Sequence, residues 1–134
     1  MSKVRVTLLF TGDNIPLNDI TAKIGISPTR VRQKKDWPQP SILAGVATDT
    51  WEFRTNKMES RAISTQMDEI QMVFGPNTAI INELTEKYSI LTNVVVMVES
   101  EIGDYPELVL TRENIEFLSS IHAEIGFDLY IDAD

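Results

Sequence analysis

The chain has 134 residues, of which 43% are hydrophobic and 24% charged, with no cysteine and a formal net charge of −8. That length fits one domain over residues 1–134 whose core stands without disulfides, and the composition argues against disorder and fibrous structure. Thiol chemistry is excluded, no apolar run approaches the roughly 20 residues of a membrane span, and the opening Met1-Ser2-Lys3-Val4-Arg5 lacks the apolar segment of a signal peptide, so a cytoplasmic protein is expected.

Val4, Val6, Leu8 and Phe10 alternate with Arg5, Thr7 and Leu9, the period of a strand with one buried face. The run from Gly12 to Pro16 turns the chain, and Asn18 or Asp19 is expected to cap a short helix with Ile20 and Ile24 on one face. Gly25 is placed to end that helix in the left-handed conformation, which costs least without a Cβ. Ser27 and Pro28 then read as the N-cap and first residue of a second helical turn, which Trp37-Pro38-Gln39-Pro40 stops ahead of a loop.

Thr50 to Thr55 alternates bulky and polar residues, a strand with Trp51 and Phe53 inward. Ile63, Met67, Ile70 and Phe74 follow helical spacing; Gly75-Pro76 breaks it, and Asn77 caps a second piece carrying Ile80, Ile81, Leu84 and Tyr88. Val94 to Val98 is a continuous β-branched and apolar run suited to a central strand. The turn from Gly103 to Pro106 predicts a hairpin returning through Leu108, Val109 and Leu110. Thr111 is positioned to cap a helix with Ile115, Leu118 and Ile121 inward, and Phe127, Leu129 and Ile131 alternate with Asp128, Tyr130 and Asp132 in a last strand. The order β-α-β-α-α-β-β-α-β predicts an α+β two-layer sandwich, a mixed, largely antiparallel sheet with helices on one face. Its terminal β-β-α-β unit resembles half of a ferredoxin-like split βαβ motif.

Charge is unevenly distributed. Residues 1–67 carry ten Lys/Arg against six Asp/Glu, and residues 68–134 carry two against fourteen. The helix-turn-helix spacing from Ile20 through Gly25 to Val31 raises DNA reading, but a recognition helix needs apolar anchors, and lysines occupy positions 34 and 35. Trp37 could join this basic stretch as an aromatic contact or simply cover a sheet edge. His122, the single histidine, lies on a helix flank with no nucleophile arrangement around it in sequence, so no catalytic residue is assigned. The carboxylate pairs Glu99 with Glu101 and Asp132 with Asp134 sit outside any loop able to supply the six to eight oxygens that calcium takes, and Gly12 alone makes no phosphate loop; no metal or cofactor is expected.

The first strand, Gly12-Asp13, Ile20-Thr21, the run Ile24-Gly25-Ile26-Ser27-Pro28-Thr29, the Trp51 strand, the long helical region and the ending Ile125-Gly126-Phe127-Asp128-Leu129-Tyr130 together resemble the bacterial domain-of-unknown-function family 4279 over nearly the whole chain. That resemblance implies the α+β fold and brings no activity, cofactor or catalytic residue. By analogy, some small domains of this sort look like immunity proteins of bacterial toxin systems. The expected function is a non-enzymatic protein-binding module whose acidic C-terminal surface, with Asp104, Glu107, Asp128 and Asp132, meets a partner that a basic surface would suit; a homodimer is compatible with it. The alternative is a nucleic-acid contact through Arg30, Arg32, Lys34 and Lys35 within the basic segment of residues 23–35.

Overall fold

The computed structural model describes residues 1–132. At its centre lies β1 (Lys3–Gly12), in which Val4, Val6, Leu8 and Phe10 are buried while Arg5, Thr7 and Leu9 stay half-exposed. β2 (Arg30–Arg32) pairs with β3 (Asp49–Arg54), and β3 runs antiparallel along one side of β1, where β4 (Met58–Glu59) continues the same edge. β5 (Leu91–Glu101) lies antiparallel on the other side of β1, and β6 (Glu124–Asp132) runs parallel to β5. The path across this open, mixed sheet is therefore β2-β3-β1-β5-β6, with β6 outermost.

Residues paired across strands share a face, so register assigns sides. Val4, Val6 and Leu8 stand opposite Val98, Val96 and Val94, which stand in turn opposite Leu129, Phe127 and Ile125. Among the described residues there are five α-helices, α1 (Leu17–Ile24), α2 (Gln39–Leu43), α3 (Ser64–Phe74), α4 (Thr78–Tyr88) and α5 (Arg112–Ser120), and all but α2 bury residues against that face. Ile20, Met67, Ile70, Phe74, Ile81 and Ile121 join the β1 and β5 valines in one core. Trp51 is fully buried, with ring centroids 5.3 Å from Phe10 and 6.1 Å from Phe74, and its indole N–H donates to Thr21 Oγ1 at 3.0 Å. The polar tip of the largest core residue is thus satisfied inside the apolar layer.

α3 and α4 form the kinked pair that Gly75-Pro76 predicts, joined by a 3-10 turn over Gly75–Asn77. Gly25 ends α1 at φ 76°, its N–H donating to Thr21 O. That helix begins at Leu17 after Pro16, earlier than the expected caps at Asn18 or Asp19; the amide of Ile15 donates instead to Asp49 Oδ2 at 3.1 Å, a partner supplied from β3. No second helical turn follows Ser27 and Pro28. The segment is extended as β2, because the β3 edge takes up its amides from Thr29 onward, and this excludes the helix-turn-helix reading. Pro40 does not end a helix but sits in the first turn of α2, where its missing N–H would have had no partner.

The expected hairpin through Leu108 to Leu110 is absent. Both edges of β5 are already occupied, by β1 and β6, so the returning segment docks on the start of α3 instead: Glu107 N donates to Arg61 O at 2.7 Å, and Ile63 N donates to Glu107 O at 3.1 Å. β5, α5 and β6 consequently make a direct parallel βαβ unit with no strand between its partners. α5 buries Asn114, Phe117 and Leu118, with Ile121 buried just past its end, while Ile115 is 54% exposed, one residue out of the expected stripe.

Candidate protein-docking surface on the outer strand

α5 has nine residues and β6 also has nine. A helix rises about 1.5 Å per residue and a strand about 3.3 Å, so this helix covers less than half the length of the strand beside it. Exposure along the helix-side face of β6 follows from that mismatch. Ile125 is half-buried against the core, whereas Phe127, Leu129 and Ile131 are 43%, 52% and 50% exposed. Ahead of the start of α5, the loop after β5 leaves a groove of about 260 Å³ whose walls include Tyr105, Pro106, Leu108, Leu129 and Ile131. Leu108, Val109 and Ile115 add exposed apolar surface nearby in the chain.

The opposite face of β6 is polar and acidic. Register with β5 puts Glu124, Asp128, Tyr130 and Asp132 on the side of Asn93, Met97, Glu99 and Glu101. Asp128 and Asp132 are exposed, as the alternation predicts. Asp104 and Glu107, the other two acidic residues singled out in the sequence, belong to the loop after β5. Asp104 Oδ2 lies 3.3 Å from the Met1 ammonium, the Asp104 carbonyl accepts from the Ser2 hydroxyl, and Ile102 N donates to Asp132 O at 3.3 Å. The loop is thereby tied to the end of β6 through Ile102, while Glu107 is held toward residues 61–63 by its backbone.

The basic residues do not converge. Arg30 and Arg32 stand on the face of β2 away from the core, opposite Glu52 and Thr50. Glu52 is only 5% exposed and takes both neighbouring arginines, Arg30 at 3.1 Å and Arg54 at 3.0 Å. The Arg32 guanidinium lies 4.1 Å from the Trp37 ring centroid, which makes Trp37 a half-buried stacking partner rather than a free aromatic platform. Lys34 and Lys35 fall in a 3-10 turn, where Lys34 Nζ is 3.5 Å from Asp13 and Lys34 N donates to Asp49 Oδ1 at 2.7 Å. Register turns the charge asymmetry of the sequence into a gradient across the uncovered sheet face, from Arg30, Arg54 and Arg5 on one side to Glu99, Asp128 and Asp132 on the other.

His122 is exposed just past α5 at φ 53°, and Glu99 pairs with Lys57 at 3.1 Å. Asp134 lies outside the described residues. Among the described residues no group of three or more His, Asp or Glu gathers into a metal-holding cluster, and no helix is long and apolar enough to cross a membrane. Sequence reasoning found the acids of β6 and missed the exposed apolar side of the same strand. Its one available signal is that the nine residues of β6 contain no Lys, Arg or Pro, the residues that commonly protect an edge.

No curated protein and no solved structure matches the chain. The family model described as Domain of unknown function (DUF4279) matches residues 2–132, which takes in every strand and helix just described, and the chain belongs to that family.

Proposed function

We propose that this is a cytoplasmic, non-enzymatic bacterial module that binds another protein through the acidic C-terminal surface of β6 and the loop beside it. The observation that carries this reading is the character of β6, an outermost strand with exposed Phe127, Leu129 and Ile131 on one face and exposed Asp128, Tyr130 and Asp132 on the other. Apolar residues in contiguous exposure mark interaction surfaces, and a field of one sign speeds association with the opposite sign while excluding like-charged competitors. Asp104 and Glu107 are exposed on the loop after β5, where Asp104 faces the Met1 ammonium and Glu107 is held toward residues 61–63, so Asp128 and Asp132 carry the charge of this surface. An immunity-like role, in which such a module masks a basic toxin, is consistent with this charge.

Affinity capture with the wild-type chain and with the Asp128→Lys/Asp132→Lys variant, followed by binding measurements on the purified partner, tests the proposal. A basic protein held by wild type and released by the variant is the expected result. A partner bound equally by both forms, and lost instead on changing Arg30 and Arg32 to Ala, would overturn it. The nucleic-acid alternative through Arg30, Arg32, Lys34 and Lys35 has less support, since Glu52 and Asp13 already face Arg30 and Lys34.

A further inference from the structure

We infer that β6 receives its partner by strand addition, and that the segment it takes is an extended stretch in which basic residues alternate with apolar ones. This rests on the acidic-surface reading above and specifies its mode. β6 has nine residues, its one strand neighbour among the described residues is β5, and its other edge leaves backbone amides and carbonyls without a strand partner. Such an edge is a template for a further strand, and main-chain pairing then supplies affinity while alternate side chains supply selection.

The two faces of β6 dictate what those alternate side chains must be. On the helix side, an added strand would continue the row Val96-Phe127 and Val98-Leu129, so its inward residues would cover half-exposed Phe127, Leu129 and Ile131 and reach the groove walled by Tyr105, Pro106 and Leu108. Valine- or isoleucine-sized side chains suit that row. On the other side, the added residues would stand beside Glu124, Asp128 and Asp132, with Glu99 one strand further in, where lysine or arginine gains and a carboxylate is repelled. A second copy of this chain is the poorer occupant. Residues 68–134 carry fourteen acids against two bases, and β6 itself has no cation to offer its twin.

The test titrates the isotope-labelled full chain with a synthetic peptide of about eight residues, the usual length of a pairing strand or slightly more, in which lysine alternates with valine. Amide shifts should appear first along β6 and the Tyr105 to Leu108 loop. A peptide of the same composition with its lysines and valines in separate blocks, and the alternating peptide with its central backbone nitrogens methylated, should each bind roughly tenfold more weakly or worse, because one loses the two-faced pattern and the other its hydrogen-bond donors. Asp128→Lys/Asp132→Lys should weaken the unmodified peptide by a similar factor at low salt. Equal binding of all three peptides, still abolished by the charge reversal, would overturn strand addition while leaving the acidic surface standing. Binding that depends on the backbone donors but ignores the charge reversal would uphold strand addition and sink the acidic-surface reading. Failure of the alternating peptide to bind, or a peptide-free dimer closed through β6, would overturn the inference itself.

Discussion

Gly25 occupies φ 76°, and a Cβ placed there would meet nothing within 4 Å. The cost of a side chain at this position is therefore conformational and not steric. Gly25→Val should lower the urea midpoint by the equivalent of about 1 kcal/mol or more, because a β-branched residue is poorly suited to the left-handed region. An unchanged midpoint would mean that α1 can end elsewhere. Gly25 was legible from its place after Ile24 in the sequence. Asp49 was not, although it holds two loops at once, accepting from Ile15 N and Lys34 N. Both bonds span many positions, and no local pattern marks an aspartate for partners that the fold alone brings near it.

Among the elements, α5 best separates local from tertiary information. Thr111 caps it as its sequence suggests, through a reciprocal pair with Asn114: Thr111 Oγ1 accepts from Asn114 N, and Thr111 N donates to Asn114 Oδ1, both at 3.1 Å. What the cap pattern leaves open is that Asn114 is completely buried and spends its amide N–H groups on Asp68 at 2.9 Å and Gln71 at 3.1 Å. One side chain closes the helix end and fastens α5 to α3. Asn114→Ala should therefore destabilise the fold by about 2–3 kcal/mol, more than loss of an exposed cap, because it strands buried polar groups. Chemical denaturation measures this, and a loss below about 0.5 kcal/mol would mean that solvent replaces the lost partners. Demand for this buried polar contact also explains why Ile115 rather than Asn114 faces outward, contrary to the apolar stripe read from spacing.

Across the whole molecule, the sheet collects the basic first half of the chain on β2, β3 and β1 and the acidic second half on β5 and β6. Charge reversal at Asp128 and Asp132 should leave the thermal midpoint nearly unchanged, since both side chains are exposed and removing two like charges from an acidic edge relieves repulsion. A cooperative unfolding scan checks this, and loss of folding would mean that the acidic face of β6 is covered in the native protein. Random duplex or single-stranded DNA should show no appreciable binding at about 150 mM salt, where the Debye length is about 8 Å. Counterion release rewards phosphate contacts made by uncommitted cations, and Arg30, Arg54 and Lys34 each face a carboxylate. A filter or polarisation assay giving submicromolar binding, lost on changing Arg30, Arg32, Lys34 and Lys35 to Ala, would reverse that expectation.

Local sequence determined the strands around Val6, Trp51, Val96 and Leu129 through hydrophobic periodicity, and the kinked α3–α4 pair and the Gly25 stop through glycine and proline chemistry, because each depends on neighbours within one or two turns of chain; the mixed helix-on-sheet class follows from their order. The tertiary structure decided everything that depends on which edge is vacant. β2 is a strand because β3 offers it an edge, Leu108 to Leu110 is not a strand because β5 has none left, and the alternating apolar residues of β6 stand half in solvent because α5 is less than half as long as the strand. Period-two patterning fixes which side chains share a face, but whether that face is covered is a property of the neighbours, and in this chain those neighbours are brought together only by pairings between distant segments.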